Sequence, residues 1–291
     1  MKMAAQKRLD VLCKAMPTEW CLAERLDYLR RYLKSQHEET FHHSNRTADL
    51  AFHFTHYLPE FNQHRREELV MAMRCHDLGK LVINRSILDA NRRLTDQEMV
   101  QTREHTTASF VLVGPHASDM VKNVAKYHHE AYNGMGYFGL KGEDIPFEAR
   151  IAAVCDVFDA LSSERTYKRG MTAGQALSIM TADKEDSRAM GRRTFDPYLM
   201  RAFSRYIVAC REKEFTVQER ESLDAYIQSQ PMEDFKHDLS LNRGWSVHES
   251  GQRTLHDDKG VVKLLSRGGS VVYDRSKRDY EPSSKGSGLE R

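Results

Sequence analysis

Apolar residues recur at helical spacing over most of the chain before residue 211. In residues 5–35 the apolar positions are Leu9, Leu12, Met16, Leu22, Leu26, Leu29 and Leu33. A spacing of three or four residues places such side chains on one face of a helix. The run is broken at Pro17-Thr18, so the pattern predicts one short helix on either side of that break.

The same periodicity predicts further helices downstream. They cover residues 38–58, 65–78, 96–113, 118–129, 147–162, 173–181 and 197–211. Gly79 follows the second of these and is expected to stop it. A glycine-rich stretch between His129 and Pro146 predicts a loop. Few segments before residue 240 have the pattern of a strand, so we predict an all-α main body.

The pattern changes after Pro231. Two apolar runs, 261–265 and 271–273, flank an Arg-Gly-Gly sequence, which predicts a small C-terminal β-hairpin. Residues 276–291 are rich in Ser, Gly and Lys, a composition typical of a disordered tail. We therefore divide the chain into an N-terminal helical segment (1–35), a main helical domain (36–230) and a C-terminal extension (231–291).

The amino-acid composition limits the kinds of binding partner that we expect. The chain has 291 residues, of which 40% are hydrophobic, and 44 Lys and Arg stand against 42 Asp and Glu. Without a basic field, binding to a nucleic-acid polymer is not expected. No apolar run has the length of a membrane helix or a signal-peptide core. We expect a soluble, cytoplasmic protein that does not bind membranes.

The cysteines agree with a reducing compartment. There are five, scattered along the chain, and no two form a Cys-x-x-Cys pair. Neither a zinc ribbon nor a disulfide framework is indicated. Most have apolar neighbours, so we expect buried free thiols.

Histidine and aspartate supply the candidate chemistry. Seven candidate metal ligands follow one another along the chain: His43, His76, Asp77, His105, His128, His129 and Asp156. Imidazole and carboxylate groups suit iron, manganese, zinc or nickel. If one carboxylate bridges, the set suffices for two ions about 3.5–4 Å apart, a separation typical of enzymes that cleave phosphate esters. The pattern predicts a two-metal phosphohydrolase.

Helical position strengthens some of these candidates. His76 and Asp77 continue the apolar stripe of the predicted 65–78 helix, and Asp156 lies inside the apolar run 151–161. A buried carboxylate needs a partner, and a metal is one such partner. For any single pair taken alone, a core histidine beside an aspartate explains the pattern better than a metal site does. Asp159 falls near the same face and is expected to brace a ligand.

Two further histidine positions depend on their context. Glu39 and His43 are four residues apart, hence on one helix face, and Glu39 is a candidate for an additional metal position. His42 points about 100° away from His43 around the helix. His105 alone is typical of a surface residue and gains weight only as a member of the set.

Several motifs resemble the HD-GYP branch of the HD phosphohydrolases. They are His76-Asp77-Leu78-Gly79-Lys80, His128-His129-Glu130, Asn133-Gly134-Met135-Gly136-Tyr137 and 156–161. The flanking stretches 39–46, 145–151, 165–168 and 195–197 agree, so the resemblance covers roughly residues 36–205 in collinear order.

The resemblance implies a helical HD-domain bundle with two or three divalent metal ions, often iron or manganese. It implies hydrolysis of cyclic di-GMP to linear pGpG, sometimes onward to GMP. The seven candidates become the ligands, with Asp77 as the bridge and Glu39 at a third metal. Four residues match positions that contact substrate: Lys80, Tyr137, Arg165 and Lys168. Lys80 and Asp77 are the predicted catalytic residues.

The glycine-rich loop departs from the family pattern. Asn133 stands where Asp is usual, Phe138 replaces the proline of the signature, and the loop is one residue short before Gly139. Thr166 likewise replaces a proline. None of these changes removes a candidate ligand. They bear on the choice of substrate and on the binding of a signalling protein through this loop.

Three alternatives stay open. The first is another enzyme of the same group, a phosphodiesterase for cyclic GMP-AMP or a nucleotide phosphohydrolase. The second is a catalytically silent module that senses a cyclic dinucleotide or docks a signalling partner. The third is a role for the C-terminal hairpin in localisation or in forming a homodimer.

Overall fold

The computed structural model describes residues 3–164, 170–182 and 194–229, together with four strands between 245 and 274. Two predicted substrate contacts, Arg165 and Lys168, lie outside the described residues, as does the predicted tail 276–291. The chain divides into two compact units. The first comprises Met1–His56 and Phe61–Gln230, and the second comprises Tyr57–Glu60 and Pro231–Arg291.

The first unit is helical. Its helices are α1 Met3–Ala15, α2 Leu22–Gln36, α3 Glu38–Phe54, α4 Gln63–Cys75, α5 Arg85–Leu88, α6 Asp96–Val113, α7 Asp119–Tyr127, α8 Phe147–Ser162, α9 Ala173–Thr181, α10 Pro197–Cys210 and α11 Val217–Ser229. The prediction of an all-α main body is therefore confirmed. In the part of the chain that the structure describes, no helix combines the length and apolar character needed to cross a membrane.

Local capping explains where several helices begin. Thr95 accepts a hydrogen bond from the backbone N–H of Glu98, whose carboxylate in turn accepts one from the backbone N–H of Thr95, so α6 starts with a complete capping box. Asp196 caps α10 through its carboxylate, directly before a proline at the first helical position. Such side chains satisfy backbone N–H groups that the helix itself leaves unpaired.

Two predicted helix ends were wrong, and two helices were not predicted. Helix α3 ends at Phe54, short of residue 58. Helix α4 ends at Cys75, and the chain then enters a 3-10 turn at Leu78–Val82. Helix α5 has one turn and α11 buries few residues, so neither carries a strong periodic signal.

Three buried aromatic rings join α3, α8 and α10. The ring centroids of Phe54 and Phe203 are 5.0 Å apart, and those of Phe158 and Phe203 are 5.2 Å apart, both at steep angles. Each ring buried in this way stabilises the fold by roughly 2–3 kcal/mol. This packing holds α3 against α8, and thereby brings His43 and Asp156 to the same interior.

The cysteines are free, but not all are buried. Cys75 and Cys155 are buried, Cys13 is half-buried, and Cys21 and Cys210 are exposed. The prediction of burial was wrong for the last two. Cys21 precedes the first residue of α2 and Cys210 is the last residue of α10, so both lie at helix ends.

The described part of the second unit is an antiparallel sheet. Its strands are β1 Trp245–Val247, β2 Arg253–Asp257, β3 Gly260–Leu265 and β4 Val271–Asp274, in the order β1-β2-β3-β4. The predicted hairpin corresponds to β3 and β4, which pair Leu264 with Tyr273. Strands β1 and β2 were not predicted, because β1 has only three residues and β2 is mostly polar.

Candidate metal centre

The seven candidate ligands lie together in the interior of the first unit. They fall into three groups whose ligand atoms are within 4.8 Å of one another: His105, His128 and His129; His43, His76 and Asp156; and His76, Asp77 and His128. His129 is half-buried, and the other six are at most 9% exposed. They come from α3, the end of α4, α6, the end of α7, and α8.

Asp77 lies between the histidine groups. Its Oδ2 is 3.3 Å from His76 Nε2 and 3.8 Å from His43 Nε2. Its Oδ1 is 3.4 Å from His105 Nε2 and 4.0 Å from His128 Nε2. Each oxygen of one carboxylate therefore faces a different pair of imidazoles.

Asp156 closes the other side of the cluster. One of its oxygens is 2.8 Å from His43 Nε2 and 4.0 Å from His76 Nε2. Its second oxygen is 3.9 Å from His129 Nδ1. Burial by itself raises the pKa of Asp156, but the hydrogen bond and positive field of His43 outweigh it, and the pKa is lowered. Asp156 is thus a carboxylate at neutral pH.

Three histidines share one tautomer. The Nδ1 atoms of His76, His105 and His128 contact backbone carbonyls three or four residues earlier, at 2.6 Å, 2.6 Å and 2.9 Å. A carbonyl only accepts, so each Nδ1 carries the hydrogen and donates it. In a neutral ring of this tautomer the lone pair is on Nε2, which points into the cluster. Backbone contacts of this kind commonly orient metal-binding imidazoles.

Those lone pairs face one another. His105 Nε2 and His128 Nε2 are 3.2 Å apart, and neither has a hydrogen left to donate. Burial lowers the pKa of His105 to about 3 and also lowers the pKa of His128, so both rings are neutral. Two acceptors at this distance repel each other unless a cation lies between them.

The cluster also contains polar atoms without hydrogen bonds. His76 Nε2 and Asp77 Oδ1 are buried and have no hydrogen-bond partner among the described residues. An unpaired buried acceptor costs about 1–3 kcal/mol. Burial raises the pKa of Asp77, but the positive charge of Lys80 outweighs it and holds that pKa well below its usual range. The neutral imidazoles of His105 and His128 and the ionised carboxylates of Asp77 and Asp156 form a donor set that fits divalent metal ions.

His43 is held differently, by a carboxylate. Its Nδ1 is 2.7 Å from Asp159 Oδ2, and Arg46 donates two hydrogen bonds to Asp159 at 2.8 Å and 2.9 Å. Burial alone lowers the pKa of His43, but hydrogen bonds to Asp156 and Asp159 raise it to about 9. Asp159 thus contacts His43, as predicted from its helical position. Arg46 was missed, since the sequence shows only that it lies near His43.

Gly79 allows α6 to approach the cluster. A Cβ atom at Gly79 would lie 1.9 Å from the backbone oxygen of His105, and its N–H donates to Ser109 Oγ at 2.8 Å. The expectation that Gly79 ends a helix was wrong, because α4 has already ended at Cys75. Its function in the fold is to permit a close contact between two segments.

The remaining predicted site residues lie around this cluster. Lys80 Nζ is 2.6 Å from Asp77 Oδ2, with 23% of the side chain exposed. The Tyr137 ring centroid is 4.7 Å from that of His129, and the Arg103 guanidinium carbon is 4.9 Å from the centroid of Tyr137. Glu39 is half-buried on α3 and belongs to none of the three groups found among the described residues.

Glu130 organises the glycine-rich loop. Its carboxylate accepts hydrogen bonds from the backbone N–H groups of Phe138 and Leu140, both at 2.7 Å. Gly136 packs so closely that an added Cβ would lie 2.5 Å from the Cα of Glu130. Glu130 is only 5% exposed. The sequence analysis gave Glu130 no role, although an acidic residue directly after two histidines could have indicated one.

We expect Glu130→Gln to loosen this loop. Glutamine retains one acceptor oxygen and presents an NH2 group to the second backbone donor, so a buried N–H loses its partner. The expected loss of stability is about 1–3 kcal/mol. Thermal unfolding and amide hydrogen exchange at Phe138 and Leu140 measure it. Glu19→Gln, at an exposed position, is the matched control, and unchanged exchange at both amides in Glu130→Gln contradicts the prediction.

This chain is a helical bundle that encloses buried imidazole and carboxylate groups, an arrangement typical of proteins that bind metal ions. The family model for the HD domain matches residues 27–189, and the chain belongs to the HD-domain family. The resemblance to HD phosphohydrolases seen in the motifs is thereby confirmed.

Curated relatives carry phosphodiesterase names. The chain is 36% identical, over 59% of its length, to a cyclic di-GMP phosphodiesterase of Pseudomonas aeruginosa, of which it covers 40%. It is 40% identical, over 46% of its length, to the cyclic di-GMP phosphodiesterase response regulator RpfG of Xanthomonas campestris pv. campestris, and covers 35% of that protein. It is 34% identical, over 48% of its length, to 3'3'-cGAMP-specific phosphodiesterase 1 of Vibrio cholerae, covering 33% of it. The chain therefore spans well under half of each relative.

Proposed function

We propose that this chain is a metal-dependent phosphodiesterase that hydrolyses a cyclic dinucleotide, foremost cyclic di-GMP, to pGpG and GMP. The observation that carries the proposal is the pair of opposed lone pairs on His105 and His128, 3.2 Å apart beside the Asp77 carboxylate. Neutral buried acceptors so arranged call for a cation. The names of the relatives supply the substrate class.

The proposed centre holds two divalent ions, iron or manganese. His43, His76 and Asp156 form one ligand group, and His105, His128 and His129 form the other. Asp77 is the proposed bridge, because its two oxygens face different groups. Glu39 remains the proposed residue for a third ion.

The protein's own residues have distinct roles in the proposed reaction. Ions bound in the centre would supply Lewis acidity toward a phosphoryl oxygen and lower the pKa of an attacking water. Lys80 lies beside Asp77 with part of its side chain exposed, so its ammonium group can stabilise negative charge on a phosphate. Tyr137 packs on His129 and is the proposed wall for the substrate. Arg165 and Lys168 are the proposed further phosphate contacts.

Cyclic GMP-AMP is the second candidate substrate. One of the relatives bears that specificity in its name. The glycine-rich loop of this chain carries Asn133 and Phe138 where its family pattern has other residues. A catalytically silent module fits less well, since the structure keeps all seven candidate ligands within the three groups.

Partner binding is proposed for the same loop. Met135 is 59% exposed and Phe138 is 43% exposed, and exposed apolar side chains on a loop suit the docking of a signalling protein. We also propose that the chain forms a homodimer through its C-terminal extension and that it is located in the cytoplasm.

The proposed activity is tested on anaerobically purified full-length chain. Elemental analysis should find about two iron or manganese ions per chain. Incubation with cyclic di-GMP and with 3'3'-cGAMP, in Mn²⁺ and in Fe²⁺, should yield linear dinucleotide on chromatography, faster from cyclic di-GMP. Chelation with EDTA should remove the turnover. A chain that retains little metal and cleaves neither dinucleotide contradicts the proposal.

A further inference from the structure

A basic groove lies between α1, α2 and residues 80–88. It has a volume of about 450 Å³, within the range of small-molecule sites. Four of the residues that line it carry positive charge, and no aspartate or glutamate does: the four are Lys7, Arg8, Lys80 and Arg85. None of the seven candidate metal ligands lines it.

Two of these cations are already paired. Lys80 contacts the buried Asp77 carboxylate at 2.6 Å, and Arg85 contacts Asp89 at 2.9 Å. Asp89 is also 3.1 Å from His37 Nε2, so its charge is shared between two groups. Asp77 and Asp89 are therefore paired with groups other than Lys7 and Arg8.

Lys7 and Arg8 supply the unneutralised charge. Neither makes an ion pair with a carboxylate among the described residues. Arg8 donates a hydrogen bond from NH1 to the backbone oxygen of Val82 at 3.2 Å, which positions its guanidinium group at the groove. Two uncompensated cations with free donors are suited to bind a phosphate group.

The rest of the groove is apolar and aromatic. Leu12 and Leu33 are buried among its lining residues, at 7% and 1% exposure, and Tyr32 is 37% exposed. The Tyr32 ring lies nearly parallel to that of Tyr28, with centroids 6.3 Å apart. A partly exposed aromatic ring beside basic groups suits a ligand that combines a planar base with a phosphate.

We propose that this groove binds a nucleotide, with its phosphate at Lys7 and Arg8 and its base against Tyr32. The site is distinct from the metal centre and shares only Lys80 with its surroundings. The inference stands on the residues of the groove, and it holds whether or not the metal centre hydrolyses cyclic dinucleotides.

Calorimetric titration of the full chain with GMP tests the proposal. Lys7→Glu reverses one of the uncompensated charges, and we expect it to weaken GMP binding about tenfold or more. Lys14→Glu makes the same change on α1 at an exposed position outside the groove, and should alter binding less than about twofold. Both variants should keep the helical circular dichroism of the parent chain.

Asp156→Ala separates this site from the metal centre. GMP binding that persists in Asp156→Ala and is lost in Lys7→Glu supports the groove. GMP binding that is lost in Asp156→Ala and unchanged in Lys7→Glu overturns it, and leaves the proposed hydrolase intact. Inorganic phosphate or guanosine alone should bind more weakly than GMP, and equal affinity of either for the groove overturns the assignment to a nucleotide.

Discussion

Replacing Asp77 with alanine is expected to abolish hydrolysis and metal retention together. Both oxygens of this buried carboxylate face imidazole nitrogens, at 3.3 Å from His76 and 3.4 Å from His105. Its removal leaves the two histidine groups without a shared anion. Since metal ions supply several kcal/mol of transition-state stabilisation, we expect turnover of cyclic di-GMP to fall roughly a thousandfold or more.

Elemental analysis and turnover assays on the same preparation check this prediction. The fold should persist, because Lys80 loses its partner but keeps 23% of its side chain exposed to water. Circular dichroism should therefore show unchanged helical content. Asp49→Ala is the control: Asp49 is on α3 with 68% of its side chain exposed, and this variant should retain metal and activity. Full activity of metal-loaded Asp77→Ala refutes the assignment of the site.

Replacing Gly79 with alanine is expected to produce the largest loss of stability. The added methyl group would lie 1.9 Å from the backbone oxygen of His105 and 2.6 Å from the backbone nitrogen of Ser109. Backbone atoms within a helix cannot move aside individually, so α6 must shift as a whole. Overpacking of this kind costs about 3 kcal/mol or more, which corresponds to a decrease in Tm of roughly 6 °C or more.

The same shift should reach the metal centre. His105 belongs to α6, and its Nε2 is 3.4 Å from Asp77 Oδ1, so displacing the helix should also lower metal content. Gly139→Ala is the matched control. Gly139 has φ of 78° with nothing within 4 Å of an added Cβ, and its replacement should cost only about 1–2 kcal/mol of backbone strain. Equal or greater loss of stability or metal in Gly139→Ala would show that the close contact at Gly79 is unimportant.

Much of the fold follows from local pattern. The predicted ranges 96–113, 147–162 and 173–181 coincide with α6, α8 and α9. All three helices have buried residues, and α6 and α9 also begin with a capping box. Both signals depend on residues close together in sequence. Helix α4 ended earlier than predicted because the chain turns after Cys75 to bring Asp77 and Gly79 toward α6, a constraint that comes from a distant segment.

The identities of the candidate ligands could be predicted from motifs and helical spacing. Spacing placed Asp156 and Asp159 on one helix face, and the contact of Asp159 with His43 at 2.7 Å agrees with that placement. By contrast, Glu130 and Arg46 were missed. Glu130 accepts hydrogen bonds from backbone N–H groups of the loop, and Arg46 donates to a carboxylate on another helix. The spacing of residues in the sequence indicates neither contact.

By itself the sequence determined most of the helical segments, which residue types are available for metal binding, and which family the chain resembles. Only the tertiary structure decided that Nε2 of His105 and Nε2 of His128 lie 3.2 Å apart, and that Lys7 and Arg8 line a groove with Tyr32. The physical reason is that periodicity sets directions within one helix, whereas distances between helices depend on how side chains such as Phe54, or the absent side chain of Gly79, let those helices pack.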